Sequence, residues 1–166
     1  MITDTTLQSG SPDLWQPVRA RVEQLKSEIS QEIAAKGLRA SGRTQNSLRV
    51  EREGDAVILY GREFFAALET GSAPWTGRTG RKCTAKQFRG IIAQWINDKG
   101  LIVDNIKSAS FLIARAIMQK GTITHRNPRT DIYTPAITRA VDDIENQINL
   151  FFEQKIADTI LRFTPR

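Results

Sequence analysis

Apolar residues recur at helical spacing near the start of the chain. Val18, Val22, Leu25, Ile29 and Ile33 fall four and three residues apart, which predicts an amphipathic helix with a narrow apolar stripe. Pro17 opens it, because a first-turn residue has no use for its N–H, and Gly37 stops it. Arg21, Lys26 and Glu28 fill the polar face. Such a helix lies on a sheet rather than zipping to a partner.

The period then changes. Leu48 and Val50 alternate with Arg49 and Glu51, the pattern of a half-buried strand. Glu53-Gly54-Asp55 carries turn chemistry, and Val57 to Tyr60 reads as a more deeply buried partner strand, so a β-hairpin is expected. Phe64 to Glu69 is long enough for one or two helical turns. Beyond it, Thr70-Gly71-Ser72 forms a turn whose glycine suits a left-handed exit.

The second half reads as helical. Thr84 and Gln87 have the spacing of a capping box, and Phe88, Ile91, Ile92, Trp95 and Ile96 mark one helix face up to Gly100. A further helix is expected from about Ser108 to Lys120, with Leu112, Ile113, Ala116 and Ile117 on its core side and Gly121 at its end. Thr122 to Thr134 is polar, with room for a short strand around Ile123. Thr134-Pro135 opens the last helix, along which Ile137, Val141, Ile144, Ile148, Phe151 or Phe152, Ile156 and Ile160 form one stripe. At 1.5 Å per residue it reaches roughly 40 Å. That exceeds what a small domain needs to cover its own sheet, and a neighbouring subunit is the natural cover. Together these elements give an α+β fold: a small antiparallel β-sheet flanked by amphipathic helices, with a long C-terminal helix. Residues 1–12 read as a flexible N-terminal arm and 13–166 as a single domain.

Composition narrows the function. The chain has 166 residues, 40% of them hydrophobic and 25% charged, with a net charge of +6. Those values fit one globular domain and leave nucleic acid or acidic protein surfaces open as partners. Cys83 is the only cysteine, which excludes an internal disulfide and suits a reducing compartment. The polar N-terminal stretch lacks the apolar core of a signal peptide, and Arg115 interrupts the best apolar run. A soluble protein made in the cytoplasm, with no membrane partner, is expected.

Candidate chemistry is sparse. His125 is the sole histidine and stands in a basic loop, so a histidine-based nucleophile pair has little to build on. With Cys83 it gives no metal-ligand spacing. Asp142, Asp143 and Glu145 suit the start of a helix through its dipole; a divalent-metal nuclease would be the enzymatic reading of the same three residues. No catalytic residue, cofactor site or metal site is assigned. Trp75, Arg78, Arg81, Lys82 and Lys86 form a basic stretch that grips either a phosphate backbone, with the indole stacking on a base, or an acidic protein. Arg126 and Arg129 extend the same chemistry. Glu69 reads as a structural carboxylate, accepting amide hydrogen bonds from the turn after it or pairing with Arg43, next to Gly71.

Read as a series, these stretches resemble the tail-completion, or neck, proteins of long-tailed DNA phages. Ser41-Gly42-Arg43 through Ser47-Leu48-Arg49-Val50 is similar to the family's first strand, and Phe65-Ala66-Ala67-Leu68-Glu69-Thr70-Gly71-Ser72 to its Glu-x-Gly turn. Trp95 to Gly100 and Phe111 to Ile117 resemble its middle helices, and Asp131 to Ile137 the Pro-Ala step into its last helix. Tyr133 stands where an apolar pair is commoner, and Thr130-Asp131 replaces a frequent proline. The resemblance spans about residues 15 to 160. It implies a non-enzymatic virion protein, assembled as a sixfold or twelvefold homo-oligomeric ring between head connector and tail, around the DNA channel. Its implied partners are connector or portal-side proteins and tail proteins, with at most non-specific contact with genomic DNA. In such a ring the basic loop docks against an acidic neighbour more readily than it holds DNA, which must slide. The alternative is a small basic nucleic-acid-binding protein.

Overall fold

The computed structural model describes residues 12–75 and 83–163. It is mixed helix and strand, 65% helical, with a two-stranded antiparallel sheet and a long C-terminal helix. This is the α+β arrangement that the changing periodicity implies.

Helix α1 spans Pro12–Ala35. It starts earlier than expected, and Pro17 lies inside it rather than at its head. The bond that Pro17 deletes belongs to the opening turns. A tertiary contact helps hold those turns: the Arg52 guanidinium lies 5.3 Å from the Trp15 ring centroid, within cation–π range. All five stripe residues, Val18, Val22, Leu25, Ile29 and Ile33, are buried. At the C-terminus, the Leu38 amide bonds back to the Ile33 carbonyl and the Gly37 amide to the Ala34 carbonyl, each at 2.9 Å. That crossed pair is a Schellman ending.

A short helix α2 (Arg43–Asn46) leads into β1 (Arg49–Glu53), which pairs with β2 (Ala56–Tyr60) in the register Arg49↔Tyr60 to Glu53↔Ala56. Gly54-Asp55 is the two-residue turn, and Gly54 takes the positive φ of 56° that such hairpins require. Of the two strands, β1 rather than β2 carries the buried residue, Val50; Val57 to Tyr60 are only half-buried. An apolar run reads as burial on both faces. Here, however, the two-stranded sheet lies against α1, and Leu59 is the β2 residue packed into the core.

Helix α3 (Ala67–Thr70) follows, then α4 (Ala85–Asp98), α5 (Ile106–Lys120), α6 (Ile123–Arg126) and α7 (Thr134–Phe163). The capping box at the head of α4 forms, with the Gln87 amide donating to Thr84 Oγ1 at 3.2 Å and the Thr84 amide to Gln87 Oε1 at 2.8 Å. On α4, Ile92 and Ile96 are buried while Ile91 and Trp95 remain exposed, so only part of the expected face meets the core. Helix α5 begins at Ile106, ahead of Ser108, because Asn105 caps it by accepting the Ser108 amide at 3.0 Å. Its inner side is Ser110, Ile113, Ala114 and Ile117, whereas Leu112 and Ala116 face outward. No strand forms around Ile123. The Thr122 hydroxyl instead caps α6 by accepting the His125 amide at 3.2 Å, and a helical turn replaces the extended backbone.

Two cores result. The larger joins Leu25, Ile29 and Ile33 of α1 to Leu48 and to Ile132, Ala136 and Ala140 around the start of α7. The smaller joins Ile92 and Ile96 of α4 to Ala114 of α5, with Phe88, Val103, Ile113 and Ile117 at its margin. Helix α7 therefore meets α1 through alanines, which allow close approach. Of the apolar stripe read along α7, Ile144, Ile148 and Phe151 are half-buried, while Ile137, Val141, Phe152, Ile156 and Ile160 are exposed. With 30 residues, α7 is about 45 Å long.

Candidate functional site

The segment from Phe65 to Ser72 is locked to the start of α7 by one carboxylate. Glu69 is 3% exposed. Its Oε1 accepts the amides of Ile132 and Tyr133, both at 2.7 Å, and of Thr134 at 3.1 Å. Its Oε2 accepts the Thr134 hydroxyl. Burial works against its ionisation, but the Thr134 hydroxyl and the three amides outweigh burial and hold the carboxyl below its ordinary range. A carboxylate committed to four donors is a fastener, not a proton donor.

The donors are themselves set by local chemistry. Amides 132 to 134 precede or open a helix, where N–H groups lack intrahelical acceptors. A carboxylate from elsewhere satisfies them and suits the positive end of the α7 dipole. The Glu69 carbonyl also accepts the Arg129 amide at 3.1 Å, so backbone and side chain of one residue hold both ends of the 129–134 loop. Glu69 thus binds neither the turn that follows it nor Arg43. Arg43 instead reaches Asp98 at 3.5 Å and Ser41 Oγ at 3.0 Å, tying α2 to the end of α4.

Gly71, next in line, has φ of 68° and lies hard against α6. A Cβ there would stand 2.2 Å from the His125 amide nitrogen and 2.4 Å from Thr122 Oγ1. The Ser72 amide donates to Thr122 Oγ1 and the Thr122 amide to the Ser72 carbonyl, each at 2.9 Å. His125 therefore contributes through its backbone to a close packing of two turns, with its side chain exposed.

The basic candidates separate. Arg78, Arg81 and Lys82 lie outside the described residues. Trp75 is half-buried, its amide donating to the Met118 carbonyl at 2.8 Å and its ring 5.1 Å from that of Phe88. It anchors the chain to α4 and α5 rather than standing free for a base to stack upon. Lys86 and Arg126 are exposed. Arg129 is engaged in a fork on Asp131, at 2.6 and 2.8 Å, and Lys36 closes on the same carboxylate at 2.9 Å. Hydrogen bonds from Arg129 and then Lys36 hold the Asp131 carboxyl far below its usual range. The structure thus brings Glu69, Gly71 and Arg129 into one cluster, and leaves Arg43, Lys86 and Trp75 elsewhere. Thr122, Asp131 and Thr134 complete the cluster; of these, only Thr134, as a helix opener before Pro135, had a local signal.

The proposed acidic trio is likewise divided. Asp143 faces α1 and accepts Arg21 Nε at 2.7 Å, while Asp142 and Glu145 face outward. Among the described residues, no three of His, Cys, Asp and Glu gather as a metal ion would require, and no helix is long and apolar enough to cross a membrane.

The remaining surface of note is apolar. Val141, Leu150, Phe152, Ile156 and Phe163 are exposed along α7, as are Ile91, Trp95, Ile106, Phe111 and Leu112 on α4 and α5. Comparison with protein-family models, with curated proteins and with solved structures returned no match.

Proposed function

We propose that the chain is a structural protein of a tailed-phage neck, joining the head connector to the tail as one subunit of a ring around the DNA channel. The observation that carries this reading is the outer stripe of α7. Beyond the stretch that covers α1, the helix continues with large apolar side chains in water, Ile156 at 59% exposure among them. Monomeric proteins rarely expose such a continuous apolar surface, and a repeated subunit contact buries it.

Glu69 supports the same reading. Two of the stretches that resemble the neck proteins, Phe65 to Ser72 and Asp131 to Ile137, are joined by its side chain. Their function in this proposal is mechanical: they set the angle at which α7 leaves the body. Catalysis has no part in it.

The test is electron microscopy of particles from a phage whose copy of this gene carries a stop codon at Glu23. DNA-filled heads and separate, intact tails are expected. Normal complete particles would overturn the proposal, and salt-dependent DNA binding by the purified protein would then decide for the nucleic-acid reading.

A further inference from the structure

We infer that α7 of one chain docks on the outer surface of the α4–α5 pair of a second copy. This inference rests on the ring reading and names the two surfaces that meet. On α7, Ile137, Val141, Ile148, Phe152, Ile156 and Phe163 follow one another at intervals of four and seven residues, a single helical stripe. Five of the six are exposed, Ile148 being half-buried. The chain's own α4–α5 pair does not cover it, since α7 packs on α1. That pair presents the complementary feature, with Ile91 and Trp95 one turn apart on α4 and Ile106, Phe111 and Leu112 exposed on α5.

Charge selects this pairing over others. Helix α7 carries Asp142, Asp143, Glu145, Glu153 and Asp158 against Arg139, Lys155 and Arg162. Asp143 and Arg139 turn to the α1 residues Arg21 and Glu28, which leaves Asp142, Glu145, Glu153 and Asp158 against Lys155 and Arg162, a net acidic excess on the rest of the helix. Helices α4 and α5 carry Lys86, Arg89, Lys107, Arg115 and Lys120 against Asp98 alone, and Asp98 already receives Arg43 and Gln94. Pairing α7 with another α7 sets acid beside acid, and pairing two α4–α5 surfaces sets base beside base. Only the crossed contact matches both apolar area and sign. Such a contact joins two different surfaces, so it propagates from subunit to subunit and closes into a ring when the rotation permits.

Complementary mixing tests the inference. One full-length variant carries Phe152→Ser and Ile156→Ser; a second carries Ile91→Ser and Leu112→Ser. All four positions are exposed, so both variants should keep the wild-type circular dichroism and thermal midpoint. By light scattering, the wild-type chain is expected to associate at about 100 µM, more weakly as salt rises, while each variant alone stays monomeric. An equimolar mixture should form a complex of two chains, because one variant retains each surface. A monomeric mixture, a variant that assembles like the wild type, or a wild-type chain that never associates would overturn the contact. Assembled rings that ignore both variants would discard this contact and leave the neck proposal standing; normal particles from the Glu23 stop mutant would remove the proposal itself.

Discussion

Gly71 and His125 are packed so closely that glycine is the only residue the first position accepts. A methyl group on Gly71 would stand 2.2 Å from the His125 backbone nitrogen, at a φ of 68° that L side chains avoid. Gly71→Ala is therefore expected to destabilise the protein by about 2–4 kcal/mol. Gly90 is the control: it is helical and open, with nothing within 4 Å of an added Cβ, and Gly90→Ala should stabilise by about 0.5–1 kcal/mol. Thermal unfolding of the two variants should move in opposite directions.

Replacing Glu69 removes the acceptor for three amides and a hydroxyl. Glu69→Ala leaves those donors buried and should cost about 3–5 kcal/mol, and Glu69→Gln about 1–3 kcal/mol, since one oxygen is kept and the charge is lost. Urea midpoints at pH 7 would rank them wild type, glutamine, alanine.

The same carboxylate makes stability depend on pH. Its folded value is depressed, so the stability it contributes is full above the ordinary carboxylate range and is lost as pH falls through the folded value. Asp131, depressed by Arg129 and Lys36, acts with the same sign. The gap between wild type and Glu69→Gln should therefore shrink in urea melts as the pH is lowered from 7 to 3. A constant gap would show that folding does not shift the titration of this carboxyl, and a gap that widens on acidification would show that the fold keeps it protonated.

Arg21 is buried, with Asp143 at 2.7 Å and Glu28 at 3.3 Å. Asp143→Ala should cost about 1–2 kcal/mol by removing a charge-assisted bond while Glu28 remains. Arg21→Met, which removes the buried charge itself and keeps the volume, should cost less. Equal losses in chemical denaturation would argue against the buried-charge account.

At the α1–α7 contact, Ala140 is 1% exposed. Ala140→Leu is expected to overpack the contact and cost about 1–3 kcal/mol. Ile156→Ala, on the outer stripe, should change the stability of the monomer by no more than about 0.5 kcal/mol. Dilute-solution melts would separate the inner from the outer surface of one helix.

Local patterns were legible where a single element decides them: the α1 stripe, the Gly54-Asp55 hairpin, the Thr84–Gln87 cap and the opening of α7 at Thr134. What one element cannot state is which of its faces meets a neighbour. The larger Ile137–Val141 stripe outranks Ala136 and Ala140 in any reading of hydrophobicity, yet close helix packing selects the alanines. Glu69 was legible as a structural carboxylate, but its partners are 63–65 positions away, and nothing local distinguishes them from Arg43. Ile123 in a polar stretch suggests a strand; the Thr122 hydroxyl and the nearness of Gly71 make it a turn of helix.

The larger core also fixes the order in which the chain can become compact. Its α1 residues, Leu25, Ile29 and Ile33, meet Ile132, Ala136 and Ala140, which emerge from the ribosome about a hundred residues later. The α4–α5 pair needs only its own neighbours and is free to form first. The α1 stripe must therefore wait, covered only in part by Leu48 and the hairpin, through most of translation, and truncation before α7 should leave the remainder open to aggregation or to capture by chaperones.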